Sequence, residues 1–124
     1  MADKVLIVDD SVSMRQMETL ILKAGGYEVV EAADGKEGIE KLTDDVAVVI
    51  TDYNMPVMNG IEFIEAVRGG SVNKSVPILI VTTESEAEKK QEGKRAGATG
   101  WLTKPFEQDQ LLGAIKKVAS SGDF

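Results

Sequence analysis

The side chains best placed to do chemistry in this chain are Asp9, Asp10, Asp52, Thr82 and Lys104, and each closes a short apolar run. Asp52 is the most telling. It follows Val46–Thr51, a stretch of β-branched or small residues that reads as a strand buried on both faces, as the middle of a parallel sheet requires. The carboxyl edge of such a sheet is where ligands and chemistry are placed. A carboxylate there is a candidate metal ligand, nucleophile or phosphoryl acceptor; the plainer alternative is a loop aspartate held by backbone N–H groups. Asp9 and Asp10 end the first apolar run. Carboxylates brought together repel one another, so a hard divalent cation is expected among them, and magnesium suits oxygen ligands while leaving room for water and phosphate. A carboxylate beside that ion can attack phosphorus and form an acyl phosphate. Lys104 would then supply a point positive charge to the phosphoryl oxygens, and the Thr82 hydroxyl a hydrogen bond.

Composition narrows the choices. A chain of 124 residues suits one domain, residues 1–124, with its own core. Fourteen basic against 21 acidic residues give a net charge of -7, which argues against nucleic acid or an anionic membrane as partner. The absence of cysteine removes thiol nucleophiles, disulfides and thiolate metal sites, and the absence of histidine removes the usual general base and zinc ligand. Asp52 is left as the only well-placed nucleophile. No apolar run approaches membrane-spanning length and the start of the chain does not read as a signal peptide, so a cytoplasmic protein is expected. Neither Gly-x-Gly-x-x-Gly after the first strand nor Gly-x-x-x-x-Gly-Lys-Ser/Thr occurs, which sets nucleotide-binding loops aside.

The elements that must position these groups follow from periodicity. Strands are expected at 5–8, 27–31, 46–51, 78–81 and around Trp101-Leu102. Between them lie helices: one capped by Ser11 or Asp10 with a stripe of Met14, Met17, Leu20, Ile21 and Ala24; a short one opened by Asp34 and Glu37 and anchored by Ile39 and Leu42; one carrying Ile61, Ile64 and Val67; one capped by Ser85 with Glu88; and a last one presenting Leu111, Leu112, Ile115, Val118 and Ala119. Five apolar strands alternating with five helices predict a three-layer, doubly wound α/β fold with a five-stranded parallel sheet. Right-handed crossovers then bring all the strand-to-helix loops, and with them the acids, Thr82 and Lys104, to one edge.

The runs Val-Leu-Ile-Val-Asp-Asp-Ser (5–11), Asp-Tyr-Asn-Met-Pro-Val-Met-Asn-Gly (52–60), Ile-Leu-Ile-Val-Thr-Thr-Glu (78–84) and Ala-Gly-Ala-Thr-Gly-Trp-Leu-Thr-Lys-Pro-Phe (96–106), in this order and spacing, resemble the receiver domain of two-component response regulators, in particular its single-domain chemotaxis type. The resemblance covers almost the whole chain and implies a flavodoxin-like (βα)5 fold. It implies that Asp52 accepts a phosphoryl group from a histidine kinase, with self-phosphorylation and autodephosphorylation chemistry. It further implies that Asp9, Asp10 and Asp52, with the backbone carbonyl of Asn54, hold magnesium, and that Thr82 and Lys104 sense the acyl phosphate. Trp101 would be the aromatic that rotates, and Lys104-Pro105 a cis bond that makes Pro105 part of the switch. Implied partners are the kinase, a downstream target such as a flagellar motor-switch component, and a phosphatase, with the protein itself a monomer.

Two other readings compete: a small aspartate-nucleophile phosphohydrolase, which would need an acid where Asn54 stands, and a binding module that never turns over phosphate. Departures from the family pattern lie outside the acidic pocket. Thr83 is bulkier than the usual neighbour of the switch threonine, and Glu107 stands where a helix cap is expected. The helix from Ser85 to Ala96 has almost no apolar stripe, so it is expected to be the least stable element, and Gly93→Ala to stabilise it by up to ~1 kcal/mol if the dihedrals of Gly93 are helical.

Overall fold

A computed structural model describes residues 3–120. The elements alternate throughout: β1 (Lys4–Val8), α1 (Val12–Ala24), β2 (Glu28–Ala32), α2 (Gly35–Lys41), β3 (Val46–Thr51), α3 (Gly60–Gly69), β4 (Ile78–Thr82), α4 (Ala87–Ala96), β5 (Gly100–Thr103) and α5 (Gln108–Ser120). All strand pairs are parallel and the sheet order is β2-β1-β3-β4-β5. The doubly wound, flavodoxin-like (βα)5 architecture expected from the sequence is the one observed. Because β1 lies between β2 and β3, the winding reverses at β1, and the crevice beyond β1 and β3 is the switch point where such sheets bind ligands.

The period of two along each strand divides the core. Leu6, Val8, Val49, Ile78 and Ile80 face a cluster closed by Phe63, Ile64 and Val67 of α3. Val5, Ile7, Val48, Ile50, Leu79 and Val81 face the opposite cluster, closed by Leu22 of α1 and Leu111, Ile115 and Val118 of α5. The central strands are thus apolar on both sides and polar only where they end. Asp52 donates its backbone N–H to Val8 O at 3.0 Å, which fixes the end of β3 against the end of β1.

Two helices differ from their sequence reading. In α1 the inward face carries Glu18 and Leu22, both 0 % exposed, while Leu20 is 72 % and Met17 39 % exposed. The expected stripe selected apolar residues and so passed over a glutamate that occupies a core position. In α4 the N-cap is Glu86, with no side-chain cap bond, so Ser85 does not cap the helix; only Gly93 is buried. The two other caps read from the sequence, Ser11 and Asp34, hold, and the Asn59 cap of α3 is an addition that the sequence reading did not name. Ser11 accepts from Met14 N, Asp34 from Glu37 N, and Asn59 forms a reciprocal capping box with Glu62.

Candidate functional site

The pocket is built from the ends of β1, β3 and β5. Asp9, Asp10 and Asp52 each offer a carboxylate oxygen, and these oxygens lie within 4.8 Å of one another. Lys104 Nζ donates to Asp9 Oδ2 and to Asp52 Oδ2, at 3.1 Å each. Three carboxylates against one ammonium leave two formal negative charges, the complement of a divalent cation. The donor set is all oxygen, so it fits magnesium and not a soft metal.

Backbone geometry holds the acids in place. Asp9 Oδ1 accepts from Ser11 N at 2.9 Å, and the Arg15 guanidinium, also paired with Glu31, donates to Asp9 O. Asp52 Oδ1 accepts from Tyr53 N at 2.6 Å and Asn54 N at 3.4 Å. Both sequence readings of Asp52 therefore meet in one residue: the N–H groups of its loop hold it, and it faces the other acids. Gly60 makes this turn possible, since a Cβ there would lie 2.2 Å from Asp52 O. Burial pushes the Asp9 carboxyl above its ordinary value, against the Ser11 N–H and the charge of Lys104, while Asp52 adds to the rise. Burial alone would lower Lys104; the charges of Asp52 and Asp9 outweigh it and hold the ammonium above its ordinary value.

The remaining expected residues stand around this centre. Thr82 is buried, with its hydroxyl accepting from Glu84 N at 3.4 Å and its carbonyl from Lys104 N at 2.7 Å. The Lys104-Pro105 bond is cis. Asn54 is exposed, and its amide donates to Glu84 Oε2 at 2.9 Å, linking the loop after β3 to the loop after β4. Trp101 is half-buried on β5 and donates Nε1–H to Glu84 O at 3.1 Å.

Three participants had no role in the sequence reading. Tyr53 hydrogen-bonds through its hydroxyl to Glu92 of α4, which pushes the phenol up to about 12, and its ring meets Trp101 at 6.0 Å between centroids. Glu84 gathers Asn54, Trp101 and Lys89, the last at 2.8 Å. Both stand inside quoted motifs, directly after Asp52 and two residues after Thr82, and that adjacency was the available signal. Glu18 gave none, because a charged residue in a helix reads as surface.

Comparison with known proteins agrees with this geometry. The family profile described as response regulator receiver domain matches residues 5–116. Chemotaxis protein CheY1 of Helicobacter pylori is 39% identical over 123 residues, covering 97% of this chain and 99% of that protein. Protein PilG of Pseudomonas aeruginosa is 32% identical over 114 residues, covering 91% and 84%. The structure of chemotaxis protein CheY4 of Vibrio cholerae superposes with a TM-score of 0.90 at 53% identity, covering 95% of this chain and 99% of that one. With a parallel five-stranded sheet, an acid cluster at its switch point and relatives matched over nearly their full length, the chain belongs to the response-regulator receiver family, as a receiver of CheY type.

Proposed function

We propose that this protein is a phosphorylation switch of chemotaxis or motility control in which Asp52 is the phosphoryl acceptor. The observation that carries the reading is Lys104 Nζ bridging Asp9 and Asp52 at 3.1 Å each, inside a cluster of three carboxylates. A pure scaffold has no physical reason to gather like charges where a strand ends.

In the transfer, an Asp52 carboxylate oxygen attacks phosphorus of a phosphohistidine on the kinase. The new O–P bond forms as the P–N bond breaks, and the imidazole leaves with the electron pair and takes up a proton. Lys104 exchanges its contact with Asp52 Oδ2 for a phosphoryl oxygen, and the Thr82 hydroxyl turns to donate to another. Asp9, Asp10, Asp52 and the carbonyl of Asn54 would hold magnesium, which supplies neutralisation of the phosphoryl charge. Water later attacks phosphorus; the Asp52 O–P bond breaks, its electron pair returns to the carboxylate, and inorganic phosphate and a proton leave to solvent. The Asn54 amide is not acidic enough to protonate a leaving group and is engaged by Glu84, which disfavours the phosphohydrolase reading.

Output runs through Glu84, because movement of Thr82 pulls on the segment to which Trp101, Asn54 and Lys89 are bonded. The partners are a histidine kinase and a target protein such as a flagellar motor-switch component, with a phosphatase as a further one, and the receiver acts as a cytoplasmic monomer. Trp101 emission tests the reading: it should change on adding magnesium with an acyl-phosphate mimic and stay constant in Asp52→Asn. Emission insensitive to the mimic in the wild-type protein contradicts it.

A further inference from the structure

Glu18 is fully enclosed, and neither of its carboxyl oxygens has a hydrogen-bond partner among the described residues. An ionised carboxylate in that position is costly, because burial removes its hydration and nothing replaces it. Its place in the fold is specific. α1 starts at the pocket with Ser11 as cap, and Glu18 lies six residues inside it, roughly 9 Å along the axis at 1.5 Å per residue. It shares a helix face with Met14 and Leu22, four residues to either side, and Leu22 belongs to the core cluster of Ile7, Ile50 and Leu111.

The charges of the pocket reach it. Asp9 from the end of β1 and Asp52 from the end of β3 act against its ionisation, and Lys104 acts in favour. The other elements that pack on α1 are β2 and α5. β2 carries an exposed Glu28 and a Glu31 paired with Arg15, and the charged residues of α5, Asp109, Lys116 and Lys117, are exposed. Burial first, then the Asp9 charge, partly opposed by Lys104 and reinforced by Asp52, pushes the Glu18 carboxyl up to about 8. It hydrogen-bonds to none of the pocket residues and stands outside the three-carboxylate cluster, so it is not itself placed as a ligand.

We propose that Glu18 is the proton reservoir of the pocket: a neutral acid while the carboxylates above it are uncompensated, and an ionised one once a divalent cation sits among Asp9, Asp10 and Asp52. The inference rests on the magnesium reading of the pocket. The step is an ionisation in which the Glu18 O–H bond breaks, the electron pair stays on the carboxylate and the proton goes to solvent. Its cause is electrostatic. The acids that oppose ionisation of Glu18 are neutralised by the ion, whose own charge then favours it. By linkage, cation affinity must rise with pH wherever binding releases the proton. Glu18 acts through the pocket and touches no reacting atom, so it tunes the switch to pH without taking part in transfer.

The chain has no histidine or cysteine, so the side chains that ordinarily titrate near neutrality are absent and the Glu18 carboxyl can be followed there. Titration calorimetry with magnesium chloride, repeated in buffers of different ionisation enthalpy, counts the protons released per ion. Wild-type protein should release a substantial fraction of one proton at neutral pH, with affinity rising by up to about tenfold per pH unit. Glu18→Gln and Glu18→Leu should bind magnesium with neither the release nor the slope. An independent readout is the melting temperature without the ion, whose fall with rising pH should be flatter in both variants. Equal proton release in wild type and variants, or none in wild type despite a binding heat, overturns the role of Glu18 and leaves the pocket intact. Absence of any magnesium binding overturns the pocket reading, and the reservoir with it.

Discussion

Lys104 shows how much one residue carries here. It is the cation bridging two of the clustered acids, and its side chain is 10% exposed. Lys104→Met should lower stability without the ion by roughly 3 kcal/mol, the cost of leaving buried charge uncompensated. Magnesium should restore more of the melting temperature in this variant than in wild type, because the pocket then carries three negative charges against none. A variant that melts like wild type and responds to the ion equally would show that Lys104 is peripheral. Val57 offers the opposite case. It adopts φ 69°, is β-branched and is 76% exposed, so its conformation is strained and no core contact compensates for it. Val57→Asn should raise stability by ~1 kcal/mol in chemical denaturation, since Asn tolerates the left-handed region. Residues of this kind differ in how far sequence reveals them. Asp9, Asp10, Asp52, Thr82 and Lys104 are legible because each interrupts an apolar run at its end. Glu18 is not, because nothing local distinguishes a buried helical glutamate from a solvated one.

α4 is the element whose sequence reading needed most correction. Its lack of an apolar stripe was legible, and so was its end at Gly97, which takes φ 113° and whose carbonyl accepts from the Arg68 guanidinium. Its start was not. The Ser85–Glu88 spacing suggests a capping box, but Ser85 lies outside the helix and Glu86 offers no cap bond. Propensity also misjudged Gly93. A Cβ there would stand 2.8 Å from Ile80 Cδ1 and 3.1 Å from Trp101 Cζ3, and Ile80 is fully buried. Gly93 is therefore the seat of the Trp101 ring, and Gly93→Ala should destabilise by about 1 kcal/mol or more through overpacking and shift the Trp101 emission. A stabilised variant with unchanged emission would restore the propensity argument. The far end of α4 is thus closed by the Gly97 cap, while its near end has no side-chain cap bond. Polar ties to it include Lys89 near its start, bonded to Glu84 and Glu86, and Glu92 at its middle, bonded to Tyr53. Amides of residues 87–92 should exchange faster than those of α5 (Gln108–Ser120) and slow on phosphorylation. Equal protection in both helices and both states would mean that α4 is a rigid face.

At the scale of the whole molecule, the fold was legible because five apolar runs separated by helical periodicity leave few topologies, and the right-handed crossover selects among them. The same topology explains why acids distant in sequence become one site: β1 and β3 are neighbours, so Asp9 and Asp52 end side by side. Stability should report on that site. A cation that binds only the folded state adds about 2.7 kcal/mol at a hundredfold excess over its Kd, so magnesium should raise the melting temperature, and Asp9→Asn should blunt the rise. The pH dependence has a definite sign. Glu18 ionises near 8 when folded, above its ordinary value of 4.5, so the folded state holds the extra proton between these limits. Its contribution is fully present below about 4.5, declines by roughly 1.4 kcal/mol per pH unit through the interval and levels off above about 8. Comparison of wild type with Glu18→Gln across that range isolates the effect. The central claim is that Asp52 is a phosphoryl acceptor served by a cation among the acids. Intact-mass spectrometry after exposure to a small-molecule phosphodonor tests it most directly. Wild-type protein should gain the mass of one phosphoryl group with magnesium and none after chelation, and Asp52→Asn should gain none in either condition. Equal phosphorylation of the Asn variant, or a gain unaffected by chelation, would contradict it.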